Sequence, residues 1–212
     1  MVRNERRKEQ RHDEIMEAAL EEFAIKGYAE TRLDDVASRA GISKGLVYVY
    51  FRTKEELFKA VIRSFIIPRV DALIRDVERS RQSSEEMIRG PLLSFMKEFI
   101  KSRKRIVVRL LIAEGPKHPD LLDFYHREVI SRGMRLLRLI LARGVTSGEF
   151  RPSPYQEFPQ LFVAPMLLAT IWQMLFERHH ALDIDRYLDA HVAIVLHTLQ
   201  AGLPVQPEAG RP

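Results

Sequence analysis

Cysteine is missing from all 212 residues. Its absence excludes disulfide bonds, thiolate zinc sites and a thiol nucleophile, and it is typical of proteins of a reducing cytoplasm. Long apolar runs are missing as well: the longest, Leu161 to Phe176, has 16 residues and includes Thr170 and Gln173. A helix needs about 20 apolar residues to span a bilayer. The sequence therefore predicts a cytoplasmic protein that has no membrane partner.

Complete catalytic and metal-binding motifs are also missing. The sequence has no G-x-S-x-G, no Walker loop and no pair of catalytic acids. Glu177 and His180 form an E-x-x-H pair, which is part of the ligand set of a di-metal helical bundle, but they lie in a polar stretch that we interpret as a turn between two helices. His191 and His197 lie about 120° from alignment on a helix, so they form no chelating pair. We predict no metal, no cofactor and no enzymatic activity; a helical-bundle enzyme remains an alternative.

Strand patterns are absent, and apolar residues recur at helical spacing along most of the chain. The fold class predicted is therefore all-α. Gly90-Pro91 is expected to kink one helix or to split off its first turn, because proline clashes with the preceding turn. Outside residues 31–54, the predicted helices cover about 9–26, 54–66, 70–78, 85–102, 106–113, 119–144, 155–178 and 184–202.

Residues 31–54 predict two short helices joined by a tight turn. Thr31 can cap the first helix, because its hydroxyl can accept a hydrogen bond from a backbone N–H three residues on. The small Ala37 permits a close helix crossing, and Gly41 supplies the left-handed conformation that often ends a helix. Ser43 is the expected N-cap of the second helix. This spacing is that of a helix-turn-helix.

The second of these helices has two different sides. Val47 and Phe51 face inwards and are apolar. A capping box at Thr53 and Glu56 begins a further helix and aims its first turn, with Lys54, towards a phosphate. The outward side suits a helix lying in the DNA major groove. Its members are Lys44, Gly45, Tyr48, Val49 and Arg52.

Charge placement supports DNA binding more than net charge does. Residues 1–60 carry 12 Lys/Arg and 12 Asp/Glu, so this region is neutral in sum. No acid occurs from Val36 to Lys54, whereas four bases do: Arg39, Lys44, Arg52 and Lys54. A helix-turn-helix used only for packing has no need of such segregation, so it is the weaker alternative.

The first 60 or so residues resemble the TetR family of transcriptional regulators. Arg32 and Leu46 depart from the family pattern, so side-chain contacts to DNA are not carried over at these two positions. The motifs that carry the resemblance are Gly27-Tyr28, Thr31, Val36-Ala37, Ala40 to Gly45, Tyr48, Tyr50-Phe51 and Lys54 to Leu57. The DNA-binding positions that it implies are Thr31, Arg32, Ser43, Lys44, Gly45, Leu46, Tyr48, Val49, Tyr50 and Lys54.

The resemblance also implies a domain organisation. We expect a three-helix DNA-binding domain over 1–67, in which residues 1–8 form a basic arm. A larger helical ligand-binding and dimerisation domain follows over 68–204, and 205–212 form a disordered tail. The boundary lies near Ile67, because the residue before Pro68 disfavours a helical conformation.

The last two helices predict a homodimer. Both are too apolar to have one exposed face after packing within a single chain. Their pairing across a two-fold axis would form a four-helix bundle and match a palindromic DNA operator. The interface residues predicted are Leu161, Pro165, Leu168, His191, Val195 and Leu199.

The resemblance implies a ligand pocket between the helices of the larger domain. Large aromatic side chains favour a pocket, although core filling is an alternative for each of them. Polar Arg109, Glu114 and Gln173 lie within apolar runs, where an unpaired polar group costs about 1–3 kcal/mol to bury. The pocket residues predicted are Phe95, Phe99, Arg109, Tyr125, Trp172 and Gln173.

These features predict a homodimeric, sequence-specific transcriptional regulator, and most simply a repressor that a small, mainly apolar effector releases from DNA. A DNA-binding or architectural protein that responds to no ligand is the main alternative. A second basic cluster, Lys101 with Arg103 to Arg105, is interpreted as a solvated connection between helices.

Overall fold

The computed structural model describes residues 2–201, including the side chains of residues 10–200. Every regular element in this range is helical, which confirms the all-α fold class. None of these helices combines the length and apolar character needed to cross a membrane. The α-helices are α1 Val2–Glu30, α2 Leu33–Arg39, α3 Lys44–Tyr50, α4 Lys54–Phe65, α5 Ile67–Arg79, α6 Ser84–Met87, α7 Leu93–Lys101, α8 Ile106–Glu114, α9 Pro119–Tyr125, α10 Ser131–Thr146, α11 Pro154–Glu157, α12 Gln160–Leu175 and α13 Ile184–Ala201.

The sequence predicts a basic arm at the N-terminus and a disordered tail at the C-terminus. Helix α1 begins at Val2 rather than near Glu9, so the backbone of the predicted basic arm is helical. The side chains of that arm lie outside the described residues, as does the predicted tail over 205–212.

Several predicted helices are divided by local irregularities. Pro91 lies in a π-helical turn over Ile88–Leu92, which separates the four-residue α6 from α7, as expected if Gly90-Pro91 splits off a first turn. The predicted helix over 155–178 is wrong, because it is two helices, α11 and α12. Phe158 is non-helical (φ −117°, ψ 69°) because the residue before a proline, here Pro159, disfavours the helical region. A second π-helical turn, His126–Ile130, separates α9 from α10.

The described chain forms two compact units. The first comprises the residues up to Ala72 together with Lys101–Arg132, and the second comprises Leu73–Ile100 with the residues from Gly133 onwards. The break between α4 and α5 falls at Ile66, whereas the first unit continues to Ala72, beyond the boundary predicted near Ile67. The grouping of α8 and α9 with the N-terminal helices was not predicted.

Aromatic packing forms the centre of the first unit. Phe23 and Tyr28 of α1 lie 5.6 Å and 5.5 Å from the ring of Phe58 on α4, both in edge-to-face geometry. Gly27 has a φ of 79°, a value that favours glycine, and it lets α1 bend just before Tyr28. This cluster fixes α4 against α1, which supports α2 and α3.

Helix α13 supplies much of the core of the second unit. Leu188, Val195 and Leu199 are 0% exposed, and Phe162 on α12 is also fully buried. The turn after α10 closes the other side: the carboxylate of Glu149 accepts hydrogen bonds from the backbone N–H groups of Ser84 (2.7 Å) and Glu85 (3.2 Å) at the start of α6. A negative group at a helix N-terminus is favourable, so this contact stabilises α6.

Candidate nucleic-acid interface

The helix-turn-helix has the predicted turn. Gly41 has a φ of 65°, and the N–H of Ile42 donates to the carbonyl of Ala37 at 3.1 Å. Ser43 caps α3 by accepting from the N–H of Leu46 at 3.3 Å. Val47 is fully buried. These contacts hold α3 at a fixed angle to α2, which leaves its opposite side to solvent.

The prediction for Thr31 was wrong. Its hydroxyl donates to the carbonyl of Gly27 at 2.6 Å, and the residue is only 1% exposed, so it neither caps α2 nor presents its side chain for DNA contact. Arg32 is the N-cap instead, and its N–H donates to the carboxylate of Asp35 at 3.0 Å. Arg32 remains exposed, as predicted for a surface position.

The outward side of α3 is open. Tyr48 is 50% exposed and Val49 is 77% exposed. A Cβ atom added to Gly45 would have no neighbour within 4 Å. Leu46 is half-buried, as is Tyr50, whose ring lies 6.2 Å from that of His12. The central part of the predicted face therefore has room to approach a base edge, whereas its flanks partly pack against the protein.

Two of the four basic residues within 36–54 are paired with acids. Lys44 donates to the carboxylate of Asp34 at 2.6 Å, and this hydrogen bond raises the pKa of Lys44. Arg39 pairs with Glu21 and Glu22. The acids lie outside 36–54, so the segregation visible in the sequence is partly neutralised by tertiary contacts.

Lys54 is held by the protein itself. Its ammonium group donates to the carbonyl of Ala29 at 2.7 Å and lies 4.6 Å from the centre of the Tyr28 ring. Burial lowers the pKa of Lys54, and burial also raises the pKa of Tyr28 to about 12. Thr53 caps α4 as predicted, by accepting from the N–H of Glu56 at 3.1 Å. A DNA phosphate would have to compete with Ala29 for Lys54.

We expect Lys54→Ala to reduce the slope of log K against log salt by about 1 for each lost phosphate contact, and to weaken binding almost equally for all DNA sequences. Lys59→Ala is the matched control, because Lys59 lies on the same helix and pairs with Glu55. Titrations by fluorescence anisotropy at several salt concentrations measure both slopes. Equal slopes for wild type and Lys54→Ala would remove Lys54 from the contact set.

The predicted dimer residues fall into two classes. Leu161 is 51% exposed and Leu168 is 52% exposed, which suits an interface. Val195 and Leu199 are 0% exposed, so the prediction that they form the interface was wrong: they fill the core of their own chain. The outward apolar side chain of this stretch is Ile194, at 65% exposure.

Two further interface candidates are half-buried. Pro165 lies within α12. A ring nitrogen of His191 lies 2.9 Å from the carbonyl of Phe162, and burial lowers the pKa of His191 despite this contact. These residues therefore contribute to the packing of α12 on α13.

The predicted pocket residues also have partners that the sequence did not reveal. Arg109 donates to the carbonyl of Ala24 at 2.7 Å, so it is not the unpaired polar group that the pocket prediction assumed. The indole N–H of Trp172 donates to the carbonyl of His180 at 2.8 Å. In the first unit, burial raises the pKa of Tyr125 to about 12.

In the second unit, Phe95 and Phe99 are neighbours whose ring centres are 6.3 Å apart, and Gln173 is half-buried. Within the described part of the chain, no three His, Asp or Glu side chains are grouped as a metal site would require.

Comparison with known proteins supports this geometry. A family model described as "Bacterial regulatory proteins, tetR family" matches residues 15–61. The HTH-type transcriptional repressor KstR2 of Mycolicibacterium smegmatis is 30% identical over 143 residues, which cover 67% of this chain and 68% of KstR2. The chain belongs to the TetR family of transcriptional regulators. TetR-family regulators bind DNA operators and small-molecule effectors, usually dimerise and are generally not enzymes.

Solved TetR-like structures share the fold. SmeT in complex with triclosan has a TM-score of 0.78 at 19% identity, over 96% of this chain and 98% of SmeT. SmeT is the repressor of a multidrug efflux pump of Stenotrophomonas maltophilia. FadR of Bacillus subtilis in complex with stearoyl-CoA has a TM-score of 0.70 at 20% identity, over 90% of this chain and 98% of FadR.

Proposed function

We propose that this TetR-family regulator is a homodimeric repressor that a small, mainly apolar molecule releases from a palindromic operator. The observation that carries the DNA-binding part is the open outward side of α3, where Gly45, Tyr48 and Val49 are exposed on a helix fixed by its cap and turn. A repressor must reach its DNA, so we place its action in the cytoplasm. Residues 1–67 act as its DNA-binding domain and 68–204 as its regulatory domain.

The DNA contacts divide by chemistry. Gly45 and Val49 approach base edges, since a small residue permits close approach and a valine can contact a thymine methyl. Tyr48 and Lys44 contact the backbone, and so does Lys54 once it leaves Ala29. Ser43, Leu46, Tyr50 and Arg32 flank this set and position it. Thr31 takes no part through its side chain, which is buried.

Dimerisation uses the exposed apolar side of α12 with Ile194 of α13. Leu161, Leu168 and Leu175 recur every seven residues and are 51%, 52% and 61% exposed. A seven-residue spacing keeps side chains on nearly the same side of a helix. We name these three leucines the α12 stripe. Two stripes across a two-fold axis would bury each other and place two α3 helices on successive half-sites.

The effector is proposed to be mainly apolar, because SmeT was solved with triclosan and FadR with stearoyl-CoA, whose acyl chain is apolar. Phe95, Phe99, Tyr125, Trp172 and Gln173 remain our ligand-contact candidates. A ligand must bind the released conformer more tightly than the DNA-binding conformer by about 5.5 kcal/mol to lower the DNA-binding population from 99% to 1%. Burial of a drug-sized apolar molecule supplies energy of this order.

The test uses Trp172, the only tryptophan of the chain, as its reporter. Stearoyl-CoA and triclosan are titrated first, and tryptophan fluorescence and operator affinity are measured on the same samples. A fluorescence change that occurs together with loss of operator binding is expected. Ligands that change the fluorescence but leave operator affinity unchanged would contradict the proposed coupling between effector and DNA.

A further inference from the structure

Arg39, at the end of α2, contacts two neighbouring carboxylates of α1. Its Nε donates to Glu22 at 2.6 Å, and its Nη1 donates to Glu21 at 3.1 Å. Glu22 is only 5% exposed. Burial by itself would raise the pKa of Glu22, but the hydrogen bond from Arg39 and the contact with Lys26 outweigh it and lower that pKa. A guanidinium group is suited to such a two-point contact, because its donors are fixed in one plane.

A second attachment lies nearer the beginning of α2. Lys26 of α1 lies 3.1 Å from the other oxygen of Glu22 and 3.0 Å from Asp35 of α2. That other oxygen of Glu22 has no well-aligned hydrogen bond, so Lys26 pairs with it mainly as a charge. Asp35 in turn accepts from the N–H of Arg32, the N-cap of α2. Helix α2 is therefore tied to α1 near both of its ends.

These pairs form one chain of alternating charges within the first unit. Glu21 is shared, because it also accepts from Arg103 of the turn that precedes α8. The pKa of Glu21 is lowered by its hydrogen bonds with Arg103 and Arg39. In order, the members are Arg103, Glu21, Arg39, Glu22, Lys26 and Asp35.

We propose that Arg39 is a positioning residue for DNA recognition: through Glu22 it fixes the orientation of α2, and with it α3, on α1. The inference rests on the DNA-binding role of α3 and not on the response to an effector. Sequence patterning places Arg39 among the bases that face phosphate, but its guanidinium is already engaged by two acids. Helix α2 buries the apolar Leu33, Val36 and Ala37, and this packing holds it in place without fixing its direction as ion pairs do. Loss of the Arg39–Glu22 pair would therefore change the angle at which α3 enters the groove.

The test compares Arg39→Gln, Glu22→Gln and the double variant, with operator and non-operator DNA of equal length. The operator is first obtained with the wild-type dimer by selection from genomic fragments. We expect each single variant to bind the operator about tenfold more weakly, while non-operator affinity and salt slope stay as in wild type. The double variant should be no weaker than either single variant, because both remove the same interaction. All measurements are made well below each variant's melting temperature.

Two further variants make the outcome decisive. Arg39→Lys keeps the charge but not the two-point contact, so it should also lose operator affinity; a phosphate contact would largely survive this change. Arg103→Gln removes a cation from the same Glu21 without touching α2, and it should bind as wild type.

Three results would overturn the proposal. The first is a salt slope that falls by about 1 in Arg39→Gln while Glu22→Gln binds normally. The second is a loss in Arg103→Gln equal to that in Arg39→Gln. The third is a specific-to-non-specific affinity ratio that is unchanged in Arg39→Gln and in Glu22→Gln. If Glu22→Gln does not fold, Asp35→Asn replaces it, since Asp35 holds the other end of α2.

Discussion

The Leu168→Glu variant is expected to be a folded monomer that binds its full operator about 10² to 10⁴ times more weakly than wild type, because the avidity of two linked half-site contacts is lost. Leu168 is the middle residue of the α12 stripe and is 52% exposed. A carboxylate there would be buried opposite its own symmetry mate in the dimer, and an unpaired buried charge is strongly unfavourable. Within one chain it would stay in water, so folding is unaffected.

Ile112→Glu is the matched control for Leu168→Glu. Ile112 is 56% exposed and lies on α8 of the first unit, whereas the α12 stripe belongs to the second unit. The Ile112→Glu change introduces the same charge at similar exposure, and it should leave both the dimer and the DNA affinity unchanged. Light scattering at micromolar concentration measures the mass, and circular dichroism confirms folding. A dimeric Leu168→Glu protein would show that α12 does not form the interface.

Gly45→Glu is expected to weaken operator binding about 100-fold or more and to leave the fold intact. The position is open, since an added Cβ would have no neighbour within 4 Å. A carboxylate on the groove-facing side of α3 would approach DNA phosphates, and like charges forced together cost several kcal/mol. The same change favours the free protein, because glutamate has the higher helix propensity and suits the first turn of a helix.

We therefore expect the melting temperature of Gly45→Glu to equal or exceed that of wild type, while its operator affinity falls. Gly133→Glu is the control, because Gly133 of α10 also has no neighbour within 4 Å of an added Cβ. It should bind DNA as wild type. Wild-type operator affinity in Gly45→Glu, measured by anisotropy, would mean that this side of α3 does not face DNA.

Local features of the candidate site were predictable from the sequence. Gly41 and Ser43 define the turn and the cap of α3, because a positive φ and an N-terminal hydroxyl acceptor are local requirements. The outward side of α3 also followed from helical periodicity, and Val47 is buried as expected. Thr31 was misassigned because a hydroxyl can bond to the turn before it as well as to the helix after it.

The apolar faces were predicted less well. Periodicity finds an apolar helix, but a helix that is apolar over more than half of its circumference has two possible inner sides. For α13 the core takes Val195 and Leu199, and Ile194 faces outwards. Only the packing of α12 against α13 decided which side each residue takes.

By itself, the sequence determined the all-α fold class and the helix-turn-helix, because helices, caps and tight turns depend on residues close together in the chain. The motif residues of this region also determined the family. The tertiary structure decided which charges are free to meet DNA. Arg39 pairs with Glu22, 17 residues away, and Lys54 donates to Ala29, 25 residues away. Arg109 reaches a carbonyl 85 residues away. Such partners leave no local pattern, since a hydrogen bond depends on distance in space and carries no periodicity along the chain.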